Sequence, residues 1–273
     1  MTTLSLGPIS GCIVTRQAPR VAVPERRASD WIDVRCLEEQ RAGVSELSAE
    51  QRTLVSEAWL RLALRLHRGV IDGSRLTLEL MSVGAPTRLL DRAEAHSSEL
   101  TEVAAQAFAV ASVHAGTELA PGGLELTDAL RVDPVALVAG VFCEGFLGGE
   151  IVLHVHELWW EADPRPEIRS VLAVIQVAAR NQLALARDVV AWLLQGPASA
   201  AAPGGNVTLR GLAPSEVRWD GLPLLPPGAS DPRLAQRALL TPDKLEGLKT
   251  DWLRRALNAA GSAEFTSKPE ATA

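Results

Sequence analysis

Tyrosine is absent from these 273 residues, which excludes tyrosyl-radical chemistry. Lysine is almost absent too, with 3 against 24 arginines, a bias of composition more than a binding patch. The formal charge of −6 and a pI near 5.5 leave no dominant basic footprint, so nucleic acid is not an expected partner. Three cysteines, Cys12, Cys36 and Cys143, lie far apart and form no Cys-x-x-Cys pair. Neither a disulfide framework nor a zinc knuckle is implied by that spacing. Cys143 falls in an apolar helical stretch and reads as a small buried residue. No charge-free apolar run reaches about 18 residues, so neither a spanning helix nor a membrane partner is expected. Met1 to Val14 carries no positive charge ahead of its apolar residues and is broken by Gly7-Pro8. It makes a poor signal peptide, and a cytoplasmic location is the expectation. No nucleophile elbow, phosphate loop or dinucleotide fingerprint occurs.

Hydrophobic residues make up 47% of the chain, ample for a core. Residues 1–46 mix Pro, Arg and Gly without period and read as an irregular arm. Ser48-Ala49-Glu50-Gln51 resembles a capping box and opens a first helix that runs to about Val83. Gly84-Ala85-Pro86 ends it. Gly69 and Gly73 weaken that helix by roughly 1 kcal/mol each, or permit a close crossing. A second helix spans about Pro86 to Ala115 and stops at Gly116. A third starts at Asp133-Pro134 and a fourth at Asp163-Pro164, with Asp as N-cap and Pro in the first helical position. The fourth ends near Gln195, before Gly196-Pro197. Residues 197–230, rich in Pro and Gly, are expected to be a non-helical linker. Asp231-Pro232 and Thr241-Pro242 open a C-terminal helical extension over 231–262, and a disordered tail is expected at 263–273.

Loop length then selects a topology. The first and second helices are joined by about three residues, as are the third and fourth, and short joints make antiparallel neighbours. About seventeen residues, Gly116 to Val132, separate the two pairs; at roughly 3.3 Å each they span a helix about 30 Å long. Two hairpins with one long crossover over residues 47–196 are therefore expected.

Two segments carry a closer likeness. Leu76-Thr77-Leu78-Glu79-Leu80-Met81-Ser82-Val83-Gly84-Ala85-Pro86 resembles the end of the first helix in bacterial ferritin-like proteins. Glu144-Gly145-Phe146-Leu147-Gly148-Gly149-Glu150 resembles the opening of their third helix, and the spacing to Ile175 and Ala191-Trp192 also fits. The resemblance covers about residues 55–195. It implies an all-α four-helix bundle that holds two metal ions through one Glu on each of two helices and a Glu-x-x-His pair on each of the others. Carried over residue by residue, those ligands fall on Leu66, Leu100, Val103, Gly149, Ala179 and Gln182. None offers the expected carboxylate or imidazole. A shift of register does not restore them, because no Glu-x-x-His occurs in the chain and the segment Arg169 to Gln195 has neither Glu nor His. The resemblance therefore implies a degenerate member without metal or other cofactor. Four buried carboxylates without metal repel and lose hydration, so apolar replacements suit an ordinary core.

Other constellations remain. Glu150, His154 and Glu157 fall within about 60° on one face of the third helix, which suits either a relocated metal site or, the favoured reading, a solvated polar stripe. His96 and Glu99 make another such pair on the second helix. His156 reads as a surface or interface residue. Asp72 and Glu79, among Arg65, Arg68 and Arg75, read as local ion pairs rather than acid–base catalysts. Gly145, Gly148 and Gly149, with Gln182, either allow tight packing or line a core cavity. Trp159-Trp160 either anchors a partner or, as favoured, covers the end of the helices. Leu245, Leu248 and Trp252 belong to an apolar stripe on the C-terminal helix that requires burial against its own chain or another. The expected function is non-catalytic: a metal-free scaffold or protein-interaction module. The alternative is a metal-independent enzyme or small-molecule binder in a remodelled core.

Overall fold

The computed structural model describes residues 44, 47–123, 130–162, 165–201, 247, 251 and 252. The N-terminal arm, Cys12, Cys36, Asp163-Pro164, Leu245, Leu248, the tail and nearly all of the linker and C-terminal extension lie outside them. Among the described residues every regular element is helical and none is a strand.

Helix α1, Ala49–Ser82, opens on a complete capping box. The Ser48 hydroxyl accepts from the Gln51 N–H at 3.2 Å, and the Gln51 side chain accepts from the Ser48 N–H at 2.9 Å. Two of the four orphan donors at this terminus are thereby satisfied. Val55, Trp59, Leu62 and Leu66 recur at helical spacing and are all buried. Gly84, at φ +72, makes the turn into α2, Thr87–Ala115, and Gly116, at φ +70, closes α2 with a bond to the Ser112 carbonyl. α1 and α2 pack along their length. Gly69 and Gly73 permit that approach: a Cβ at Gly69 would sit 2.9 Å from Leu100 Cδ1, and one at Gly73 would overlap the Ser97 hydroxyl.

The third rod has three consecutive parts. Helix α3, Pro134–Gly140, is capped by Asp133, whose carboxylate accepts from the N–H groups of Val135 and Ala136 at 3.2 Å. A π-helical segment, π1, continues it over Val141–Leu147, and α4 completes the rod over Gly148–Ala162. Gly145, Gly148 and Gly149 lower the local preference for regular α-helix, where the wider π turn forms. Helix α5, Pro166–Gln195, packs against both α2 and the third rod. It begins two residues later than the Asp163-Pro164 signal indicates. Pro166 pushes the preceding Arg165 into an extended conformation, φ −75 and ψ 122, so the helix cannot include it. A one-turn helix, α6, occupies Pro197–Ala201, correcting the expectation that nothing beyond Gln195 is helical before residue 231. Pro197 suits the first helical position, and three of the four remaining residues are alanine, the strongest helix former.

Two apolar clusters reveal the directions of the rods. One joins Leu80 of α1, Leu89 of α2, Leu137 of α3, Phe142 of π1 and Leu193 of α5. The other joins Trp59 of α1, Phe108 of α2, Trp159 of α4 and Leu172 of α5. The end of α1, the start of α2, the start of α3 and the end of α5 therefore share one pole. The third rod runs parallel to α2, as a long return connection requires. Trp252, from the C-terminal region, is buried in the first cluster and donates its indole N–H to the Leu147 carbonyl at 3.2 Å. The third rod, Pro134–Glu161, is long and apolar enough to cross a membrane by length and composition alone, and 56% of its most apolar window is buried in this chain.

Candidate functional site

The six positions at which the resemblance expects metal ligands lie on inward surfaces. Leu66, Leu100, Val103, Gly149 and Ala179 are buried, and Gln182 is half-buried. Leu66, Leu100 and Val103 belong to one continuous apolar cluster. The glycines of π1 and α4 meet α5 closely. A Cβ on Gly145 would lie 3.2 Å from Ala186 Cβ, and one on Gly149 would lie 3.0 Å from Leu183 Cδ2 and 3.8 Å from Gln182 Cδ. Gly148 faces only the Cys143 carbonyl, at 3.7 Å. At Gly145 and Gly149, tight packing is what the missing side chains permit.

The polar stripe of α4 is divided among arginines. Glu150 lies 3.7 Å from Arg187, and Glu157 lies 3.7 Å from Arg180 and 3.8 Å from His154. On α2, Glu99 accepts from Asn181 of α5 at 2.9 Å, with His96 at 3.6 Å. Both acidic faces are thus drawn to α5 rather than to each other. Among the described residues no three His, Cys, Asp or Glu side chains gather as a metal-donor group. Trp160 is half-buried with the Arg169 guanidinium 5.6 Å above its ring. Trp159 is buried and packs 5.5 Å from Trp59, so it is no exposed anchor.

Two buried polar features emerge instead. The first is an ionic latch at the pole of α3. Glu79 is 1% exposed and accepts from Arg75 Nε at 2.9 Å and from Arg131 twice, through its backbone N–H at 2.8 Å and its Nε at 3.1 Å. Arg131 reaches on to Glu144 of π1 at 2.8 Å. Burial opposes its charge, but the carboxylates of Glu144 and Glu79 outweigh burial and hold the guanidinium above its ordinary pKa. Arg131 lies across Gly140, where any Cβ would overlap the guanidinium. The Arg68–Asp72 and Arg75–Glu79 pairs along α1 stand as the sequence spacing indicates. Arg131 is not readable that way, because its partner stands 52 positions away.

The second feature is an imidazole in the opposite cluster. His156, expected at the surface or an interface, is 1% exposed. It stands seven residues beyond Gly149, which returns it to the same inward face two turns further along. That spacing is the signal by which its burial is readable. Its ring stands 5.6 Å from the Trp159 ring, and its backbone carbonyl accepts from the Gln176 side chain at 3.2 Å. Burial, aided by the nearby Arg65 charge, pushes its pKa down to about 3, so the ring is neutral. His156 Nδ1 and Trp159 Nε1 are both buried without a hydrogen-bond partner among the described residues. Such groups cost about 1–3 kcal/mol each when left unsatisfied. In comparisons with known proteins, no family model, no curated protein and no solved structure matches this chain.

Proposed function

We propose that this chain is a metal-free, ferritin-like four-helix scaffold or protein-interaction module without catalytic activity. One observation carries the reading. Five of the six positions where the resemblance expects ligands are buried, and each holds an apolar side chain or only hydrogen. Liganding carboxylates at those sites would be desolvated without a counter-charge, whereas Leu, Val, Ala and Gly pack there at no such cost. The two parallel inner rods joined by a long return connection add support. So does Trp252, through which part of the C-terminal region packs on the helices themselves.

Elemental analysis of protein grown with added iron, manganese and zinc tests the proposal. The expected content is below about 0.1 metal ion per chain, since structural and catalytic sites bind their metal tightly. About one ion per chain or more, lost in His154→Ala, would overturn the reading and assign a metal to the α4 stripe.

A second reading, a metal-independent enzyme or small-molecule binder, is favoured by a different observation. Binding sites set a few polar atoms in an apolar interior, and His156 Nδ1 and Trp159 Nε1 are buried polar atoms without a hydrogen-bond partner among the described residues. The candidate position is then about two turns along from the Gly145, Gly148, Gly149 and Gln182 region.

A further inference from the structure

We propose that His156 Nδ1 and Trp159 Nε1 share one neutral oxygen atom, either a trapped water or the hydroxyl or carbonyl oxygen of a small apolar molecule. Both nitrogens are buried and without a hydrogen-bond partner among the described residues. The indole nitrogen only donates, while a neutral imidazole nitrogen either donates or accepts according to its tautomer. An oxygen answers both cases, accepting from the indole and completing the imidazole bond in whichever sense the tautomer requires. The reach is also right. His156 and Trp159 stand one turn apart on α4 and their ring centroids lie 5.6 Å apart, so the two side chains are direct neighbours within reach of one bridging atom.

The surroundings decide the charge of the occupant. Trp59 packs 5.5 Å from Trp159, and the apolar cluster adds Ile168, Leu172 and Ile175. A charged group would lose its hydration among these residues, the nearby Arg65 charge opposes a cation in particular, and no metal-donor set gathers there among the described residues. Gln176 does not serve as the missing partner. Its amide nitrogen is committed to the His156 carbonyl, and Arg180 lies 3.5 Å from its oxygen. This inference is independent of whether the chain is a scaffold, because a structural water and a bound ligand meet the same two atoms.

The test uses the full chain labelled with ¹⁵N-tryptophan and ¹⁵N-histidine. Trp159→Phe assigns one of the seven indole signals by its loss. Water-to-indole transfer at that N–H, with the sign of dipolar contact rather than exchange, is expected, and it should disappear in His156→Phe. Alternatively, a neutral molecule retained by the native protein in mass spectrometry, and absent from His156→Phe, identifies a ligand as the oxygen source. Absence of both signals overturns the proposal, as does water transfer that His156→Phe leaves unchanged. If His156→Phe does not fold, Trp159→Phe reads the bridge from its other side. The His156 ¹⁵Nδ1 shift then moves if the oxygen is shared, and a shift matching the wild type overturns it.

Discussion

The two poles of the helices bury polar groups in opposite ways. At the α3 pole, Glu79, Arg75, Arg131 and Glu144 form a charged network that ties the crossover to α1 and π1. At the other pole, His156 and Trp159 are neutral, and His156 Nδ1 and Trp159 Nε1 have no hydrogen-bond partner among the described residues. The first arrangement is closed: each charge has an opposite charge in contact, and Gly140 leaves the room for it. The second leaves polar atoms in an apolar setting, where no described residue completes them. Burial alone therefore does not identify a site. What separates a lock from a binding position is whether the polar atoms are already satisfied.

The widest effect expected from this contrast is on pH dependence. The folded pKa of His156, about 3, lies below the ordinary 6.5, so the unfolded chain takes up the proton first as pH falls. The contribution is complete above about pH 6.5 and is lost progressively down to about pH 3, by up to tenfold in the folding constant per pH unit. Burial lowers the pKa of His67, and it lowers that of His96 against the pull of Glu99, so both act in the same sense. His156→Phe should flatten the curve relative to wild type in urea titrations across that range. An unchanged slope would show that the imidazole is not buried neutral.

The latch should respond to charge removal rather than to pH near neutrality. Glu79→Ala removes the buried carboxylate that Arg75 and Arg131 share, leaving Arg131 only Glu144 of the two acids, and should cost about 3 kcal/mol in denaturant unfolding. Joint replacement of Glu79 and Arg131 by Leu should restore much of that loss. Equal destabilisation by the single and double variants would mean that the network does not act as a unit. A smaller effect is expected where the poles meet along α1. Gly73→Ala places a methyl against Ser97 and should lower stability by about 1–2 kcal/mol, despite alanine's better helix propensity. Adding Ser97→Gly should recover most of it. The smallest effect belongs to Trp252→Phe, which keeps most of the packing but removes the bond to the Leu147 carbonyl. A loss of about 1 kcal/mol in thermal melts is expected. No change at all would indicate that the Trp252 bond adds nothing to stability in solution.

Much of the helical framework is legible in the order of residues. The Ser48 capping box, the Gly84 turn, the Gly116 stop and the Asp133 cap all stand where the residue types indicate. Where sequence and structure part, competing local rules are responsible. Asp163-Pro164 has the right chemistry for a helix start, but Pro166 forbids a helical Arg165 and moves the start. The candidate site is far less legible. Glu150, His154 and Glu157 do share a face, yet Arg180 and Arg187 from another helix take up the acids. Contrast with His154 directs His156 to the surface, although its spacing from Gly149 indicates the interior.

Caps, breakers and apolar periodicity act within about one helical turn, so the sequence by itself determined where helices begin and end and which stripes demand burial. It also determined that Leu66, Leu100, Val103, Gly149 and Ala179 offer neither carboxylate nor imidazole. Only the tertiary structure decided which polar groups those stripes enclose. Glu79 meets Arg131 across 52 positions, and the π1 turn shifts every later side chain around the rod. Trp159, one turn from His156 on α4, is enclosed by a cluster that draws on four helices. Desolvation and hydrogen-bond satisfaction depend on those distant neighbours, so they are settled by packing and not by the local order of residues.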